Sequence, residues 1–173
     1  QMCVERDIRL TVGLGASAGG LAVLKEFVSS LPKNAGICYI IIQHLDPKHK
    51  SLLSGILARE STIPVKDAED KQNLEPDTIY VIPANTYLEL VKGKLRLVEP
   101  DKSLGSRKAI DHFFRSLARD CGEQCVGIVL SGSGSDGTAG LREIKAAGGL
   151  SLAQNPETAE RSSIPRSAIE ADV

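Results

Sequence analysis

Apolar positions along the chain come in short blocks, and the period inside each block switches between that of a strand and that of a helix. Arg9-Leu10-Thr11-Val12-Gly13-Leu14-Gly15 reads as a strand. Leu21, Leu24, Val28 and Leu31 then recur three and four apart, which predicts a helix over residues 20–31, broken by Pro32-Lys33-Asn34-Ala35-Gly36. Ile37-Cys38-Tyr39-Ile40-Ile41-Ile42 is continuous and β-branched, the pattern of a strand buried on both faces. It ends in Gln43-His44, and Asp46-Pro47 marks a turn before a helix over residues 49–60. Short strand candidates lie between Val65 and Val81, around an acidic loop from Asp67 to Asp77. Tyr87–Val91 and Lys94–Val98 alternate around Lys92-Gly93, the signature of a hairpin. Ile110, Phe113, Phe114 and Leu117 give the inward face of a helix over residues 107–120. A buried strand from Cys125 to Leu130 follows. The glycine-rich turn Ser131-Gly132-Ser133-Gly134-Ser135-Asp136-Gly137 opens a helix that ends at Gly148-Gly149, and Leu150–Ala153 is a last strand.

This alternation predicts an α/β fold, with a doubly wound, mainly parallel sheet, helices on both faces and an antiparallel hairpin near 87–98. No repeat, low-complexity tract or long linker interrupts it, so residues 1–173 read as one domain.

Composition changes that picture little. A net charge of −1 with no basic run gives no reason to expect nucleic acid or an anionic membrane as partner. The longest apolar stretch, Ile37 to Ile42, is too short to cross a bilayer, so no membrane insertion is expected. Glu5, Arg6, Asp7 and Arg9 interrupt any signal-peptide pattern. Cys3, Cys38, Cys121 and Cys125 form neither a redox CxxC nor a zinc set. The expectation is a reducing, cytoplasmic setting with free thiols, and neither metal nor cofactor.

The chemistry sits at strand ends. In open α/β sheets, ligands lie outside the carboxyl ends of the strands, and three of those ends carry reactive groups: Ser17, His44 and Asp136. A nucleophile, a base and an orienting carboxylate are the parts of a serine hydrolase. Ser17 lies in Gly15-Ala16-Ser17-Ala18-Gly19, a G-x-S-x-G turn between strand and helix. The α/β-hydrolases that own this elbow run serine, acid, histidine, whereas here the order is serine, histidine, aspartate. His112 reads as a surface or packing residue in a helix, and His49 as a solvated or supporting group. Asp46 competes with Asp136 for the carboxylate role, and Asp136 also has the place of a helix N-cap. A rival reading takes Gly13-Leu14-Gly15-Ala16-Ser17-Ala18 and Gly132-Ser133-Gly134-Ser135-Asp136-Gly137 as dinucleotide loops. The ribose-binding acid that loop needs at the second strand's end is missing, and Asp136 would repel a pyrophosphate.

Four ordered blocks carry a family resemblance: Gly15-Ala16-Ser17-Ala18-Gly19-Gly20, Gln43-His44-Leu45, Ser131 through Gly137, and Ile164-Pro165-Arg166-Ser167-Ala168-Ile169. From Leu10 to Ile169 the chain resembles the catalytic domain of the chemotaxis protein-glutamate methylesterases, the CheB family. The resemblance implies Ser17 as nucleophile, His44 as general base and acid, and Asp136 as its orienting partner. It places Ala18, Gly19, Gln43 and Ser133 around the oxyanion and substrate. The implied reaction is hydrolysis of a receptor's glutamyl methyl ester with release of methanol, and the family also deamidates receptor glutamines. Ala18 and Ser133 stand where the family often has threonine and methionine, and Tyr87 where many members carry a non-catalytic histidine. The blocks Asp46 to Leu53 and Ile110 to Ala118 resemble the subgroup fused to a CheR-type methyltransferase, without a receiver domain ahead of this region. Val173 falls before the family domain's usual end, which implies trimming at the C-terminus, and Gln1-Met2 reads as a cloning remnant. Two other readings stay open: a degenerate sensory domain that binds a partner without turnover, and a nucleotide-binding module.

Overall fold

The computed structural model describes residues 7–44, 52–100 and 108–173. Among the described residues, eight strands and five α-helices follow in chain order: β1 (Leu10–Ala16), α1 (Gly20–Ser29), β2 (Ile37–Gln43), α2 (Leu53–Glu60), β3 (Val65–Asp67), β4 (Thr78–Val81), β5 (Tyr87–Val91), β6 (Lys94–Val98), α3 (Ala109–Cys121), β7 (Cys125–Val129), α4 (Thr138–Ala146), β8 (Leu150–Ala153) and α5 (Ser163–Glu170). Six strands form a parallel sheet in the order β3-β4-β2-β1-β7-β8.

The continuous apolar run of β2 is explained by its place inside this sheet. Ile40 and Ile42 pack with Phe113, Phe114 and Leu117 of α3, while Ile41 packs with Leu24 and Val28 of α1 and Leu57 of α2. Successive side chains of a strand point to opposite faces, so one strand feeds two cores. β5 and β6 pair in antiparallel fashion as a separate ribbon. Their Leu88, Leu90 and Leu95 join the α3 core, and the Asp120 carboxylate accepts from the Lys92 and Gly93 N–H groups at 2.6 and 2.9 Å. The hairpin is thereby tied to the back of α3.

From β1 the chain winds to β2 on one side of the sheet, and it later returns through β7 on the other side. The winding direction therefore switches at β1, where an open sheet leaves its crevice. Register puts Gly15 level with Ile42 and Val129, so the segments leaving β1, β2 and β7 emerge side by side.

One element departs from the sequence expectation. Leu21 is exposed and lines a cleft rather than joining Leu24 and Val28, because the first turn of α1 stands at the sheet's carboxyl edge. The helix α5 carries Pro165 in its first turn, where no intrahelical N–H bond is lost, so the proline does not break it. The start of the helix expected over residues 49–60, the Asp46-Pro47 turn and His49 lie outside the described residues. Cys38, Cys121 and Cys125 are free thiols, and burial pushes the Cys125 thiol up to about 11. Among the described residues, no helix is long and apolar enough to cross a membrane.

Candidate active site

Ser17 follows β1 directly, and three hydrogen bonds fix its backbone. Its N–H donates to the Ser131 carbonyl at 2.9 Å, and its carbonyl accepts from Gly20 N–H at 3.0 Å and Gln43 Nε2 at 2.9 Å. Gly19 turns the chain into α1 with φ 75°, a left-handed conformation that glycine adopts without steric cost. Gly132 of the neighbouring turn approaches so closely that a Cβ there would stand 2.8 Å from Ser17 Cβ. The serine is half-buried and held from three directions.

His44 follows β2, and its N–H donates to the Ala16 carbonyl at 3.1 Å. Its Nε2 lies 2.6 Å from Asp136 Oδ2. Asp136 is 8% exposed and accepts two further bonds, from Ile110 N–H to Oδ2 at 3.0 Å and from Asp111 N–H to Oδ1 at 2.9 Å. These donors are the unpaired N–H groups of α3's first turn, where the helix dipole favours an anion. An ionised carboxylate can only accept, so the proton of a neutral imidazole sits on Nε2 and Nδ1 is left as acceptor. That is the tautomer a general base for a hydroxyl requires. Asp136 thus receives the N–H groups of the neighbouring helix α3 rather than capping α4, the helix that follows it, and its Oδ2 faces His44 Nε2.

Ser17 and His44 line one cleft of about 410 Å³, together with Ala18, Gly19 and Gln43. Among the described residues, no hydrogen bond joins the Ser17 hydroxyl to His44. The Ala18 and Gly19 N–H groups have no acceptor among the described residues, so the start of α1 offers two free donors beside the serine. An acyl oxygen carrying developing charge is the ligand such donors suit.

The other positions expected around the substrate divide. Gln43 lines the cleft, but its amide N–H is spent on the Ser17 carbonyl, and its Oε1 is buried without a partner among the described residues. It holds the Ser17 turn. Ser133 is exposed on the turn before α4 and is not among the residues lining this cleft. His112 bonds Glu89 at 2.9 Å and packs on the Tyr87 ring, away from the cleft.

Sequence reasoning passed over several residues of the site. Lys25 and Glu160 also line the cleft. Ser131 Oγ donates to the Ala18 carbonyl at 2.9 Å and accepts from Arg161 N–H at 2.9 Å, which joins the Ser17 turn to the chain before α5. Asp111, 1% exposed, accepts from Gly137 and Gly140 N–H groups at the start of α4. Burial pushes its carboxyl above the usual carboxylate range, aided by the Asp136 charge and opposed by those N–H groups and by Arg115. The only available sequence signal for these residues was their position inside or beside the family-like blocks. Asp111 also bears on the nucleotide reading. At the second of the two loops, the Gly137 and Gly140 N–H groups that a phosphate would need at the start of α4 are already taken by the Asp111 carboxylate.

A model of the CheB methylesterase family matches residues 12–173. The chain belongs to that family. A putative protein-glutamate methylesterase/protein-glutamine glutaminase of Leptospira interrogans is 36% identical over 159 residues, covering 91% of this chain and 82% of the relative. An uncharacterized 104.1 kDa protein of Rhodobacter capsulatus is 43% identical over 117 residues, which is 68% of this chain and 12% of that protein. The crystal structure of the Thermotoga maritima CheB methylesterase catalytic domain superposes with a TM-score of 0.87 at 31% identity, covering 94% of this chain and 88% of that one. Several other CheB-type relatives are longer, and the chain spans 49% or 43% of their length. The six-stranded parallel sheet with its separate hairpin is therefore a CheB catalytic fold.

Proposed function

We propose that this CheB-family protein is a serine esterase that removes methyl groups from glutamyl methyl esters of a chemoreceptor, through Ser17, His44 and Asp136. The observation that carries the reading is the 2.6 Å contact between His44 Nε2 and Asp136, at the cleft that Ser17 shares. His44 Nδ1 takes the Ser17 proton as Oγ attacks the ester carbonyl. The Ala18 and Gly19 N–H groups receive the oxyanion, and His44 returns the proton to the departing methoxide as methanol. A water activated by the same imidazole then cleaves the acyl-serine and leaves a glutamate. A glutamine side chain in the same position would lose ammonia by the same steps, which agrees with the double name of the relatives.

The substrate fits as a receptor helix laid across the open cleft, with the enzyme on the cytoplasmic side and residues 1–173 acting as one catalytic domain. A CheR-type methyltransferase elsewhere in a longer polypeptide would supply the esters that this site removes. The Rhodobacter relative supports a large parent protein, since the matched stretch is a small part of it.

Methanol release from a methylated receptor tests the reading. Ser17→Ala should lower kcat by about 10⁶-fold, as loss of a triad nucleophile does. Equal release by wild type and Ser17→Ala would overturn it, and so would no release by either, which would favour a partner-binding domain without turnover.

A further inference from the structure

Asp111 and Asp136 grip one another. The Asp111 N–H donates to Asp136 Oδ1 at 2.9 Å, while Asp111 Oδ1 accepts at 3.0 Å from Gly137 N–H, the peptide next after Asp136. The same Oδ1 accepts from Gly140 N–H at 2.7 Å. Neither α3 nor α4 is capped by its own N-cap side chain. Each helix start is instead satisfied by an aspartate belonging to the other. Asp136 is therefore held twice, through its carboxylate by α3 and through its following peptide by Asp111. With both fixed, Oδ2 is aimed at His44 Nε2. Asp111 itself is 1% exposed and touches no part of the cleft.

A buried acid is a costly way to cap a helix, since serine, threonine or asparagine would accept the same bonds without a charge. The geometry points to a second task. We infer that Asp111 is a positioning residue for the esterase, setting the direction of the Asp136 carboxylate by holding the Gly137 and Gly140 N–H groups on one oxygen. This rests on the triad reading above.

Two readouts test it: kcat and KM per active site titrated with a fluorophosphonate, and the low-field imidazole N–H resonance of His44 bonded to Asp136. Counting titrated sites removes any unfolded fraction from the rate. Asp111→Ala should lower kcat about 10- to 100-fold with KM unchanged, the effect of a small misplacement in a catalytic group, and should shift the resonance. Asp111→Asn keeps the Oδ1 acceptor and should retain both the rate and the resonance. Should Asp111→Ala not fold, Asp111→Glu decides, because it keeps the charge but moves the acceptor by one methylene; kcat should fall and the resonance should shift. Wild-type kcat and an unmoved resonance in the folded alanine variant, or failing that in the glutamate variant, would overturn the inference. Equal losses in the asparagine and alanine variants would also overturn it, since charge rather than the held peptide would then matter. Ser17→Ala separates the two readings: it should abolish turnover and keep the resonance. Normal turnover in that variant would overturn the triad reading and this inference with it.

Discussion

The two glycine-rich turns, residues 15–20 and 131–137, look alike in sequence and do opposite things. Each follows a central parallel strand, each opens a helix, and each uses a left-handed glycine at the entry, Gly19 and Gly137. At the first turn the Ala18 and Gly19 N–H groups stay free beside the cleft, with no acid in the first turn of α1. At the second turn the Gly137 and Gly140 N–H groups are consumed by Asp111, while Asp136 reaches across to α3 and His44. One turn leaves positive potential free at the cleft. The other spends its own to fix a carboxylate. A glycine pattern alone thus says that backbone and ligand, or backbone and backbone, come close; the side chains around it decide which.

The largest effect that would sharpen this contrast lies on the second turn. Asp136→Ala should lower kcat by about 10³- to 10⁴-fold, because the imidazole loses its orienting acceptor while the free donors of the first turn survive. A loss as complete as that from removing Ser17 would argue that Asp136 also holds the first turn together. A smaller effect should come from the close approach of the turns. Gly132→Ala would set a Cβ 2.8 Å from Ser17 Cβ, and a displaced nucleophile should cost about 10²-fold in kcat/KM. Unchanged kinetics there would show that the turns can separate without loss. The smallest effect belongs to Ser133→Ala. Its side chain is exposed outside the cleft, so kcat/KM should stay within about two-fold, as for ordinary surface changes. A large drop would return Ser133 to the substrate's side.

Much of this was legible in the residues. Period and β-branching located β2 and the hairpin, since a strand buried on both faces and a ribbon on a helix impose those patterns directly. Ser17, His44 and Asp136 stood out because strand ends in a parallel sheet converge on one edge. Leu21 misled because its spacing matches a core face, and spacing cannot tell where the sheet's edge leaves a helix uncovered. Residues 163–170 entered the sequence reading only within a family-like block, and α5 carries its Pro165 in the first turn, where no intrahelical N–H bond is lost. Asp111 was hidden most deeply. It looks like a first-turn acid of α3, and only the packing of α3 against α4 shows that it caps the neighbouring helix. Such pairings join residues far apart in sequence, so no local pattern announces them.

The central claim is that Ser17 forms the acyl intermediate with His44 as its base. The most direct measurement is mass spectrometry of the peptide holding the adduct after reaction with a fluorophosphonate, compared between wild type and His44→Ala. The account predicts a single adduct on Ser17, with labelling strongly slowed in the His44 variant. An adduct on any other residue, or equal labelling of both proteins, would contradict it.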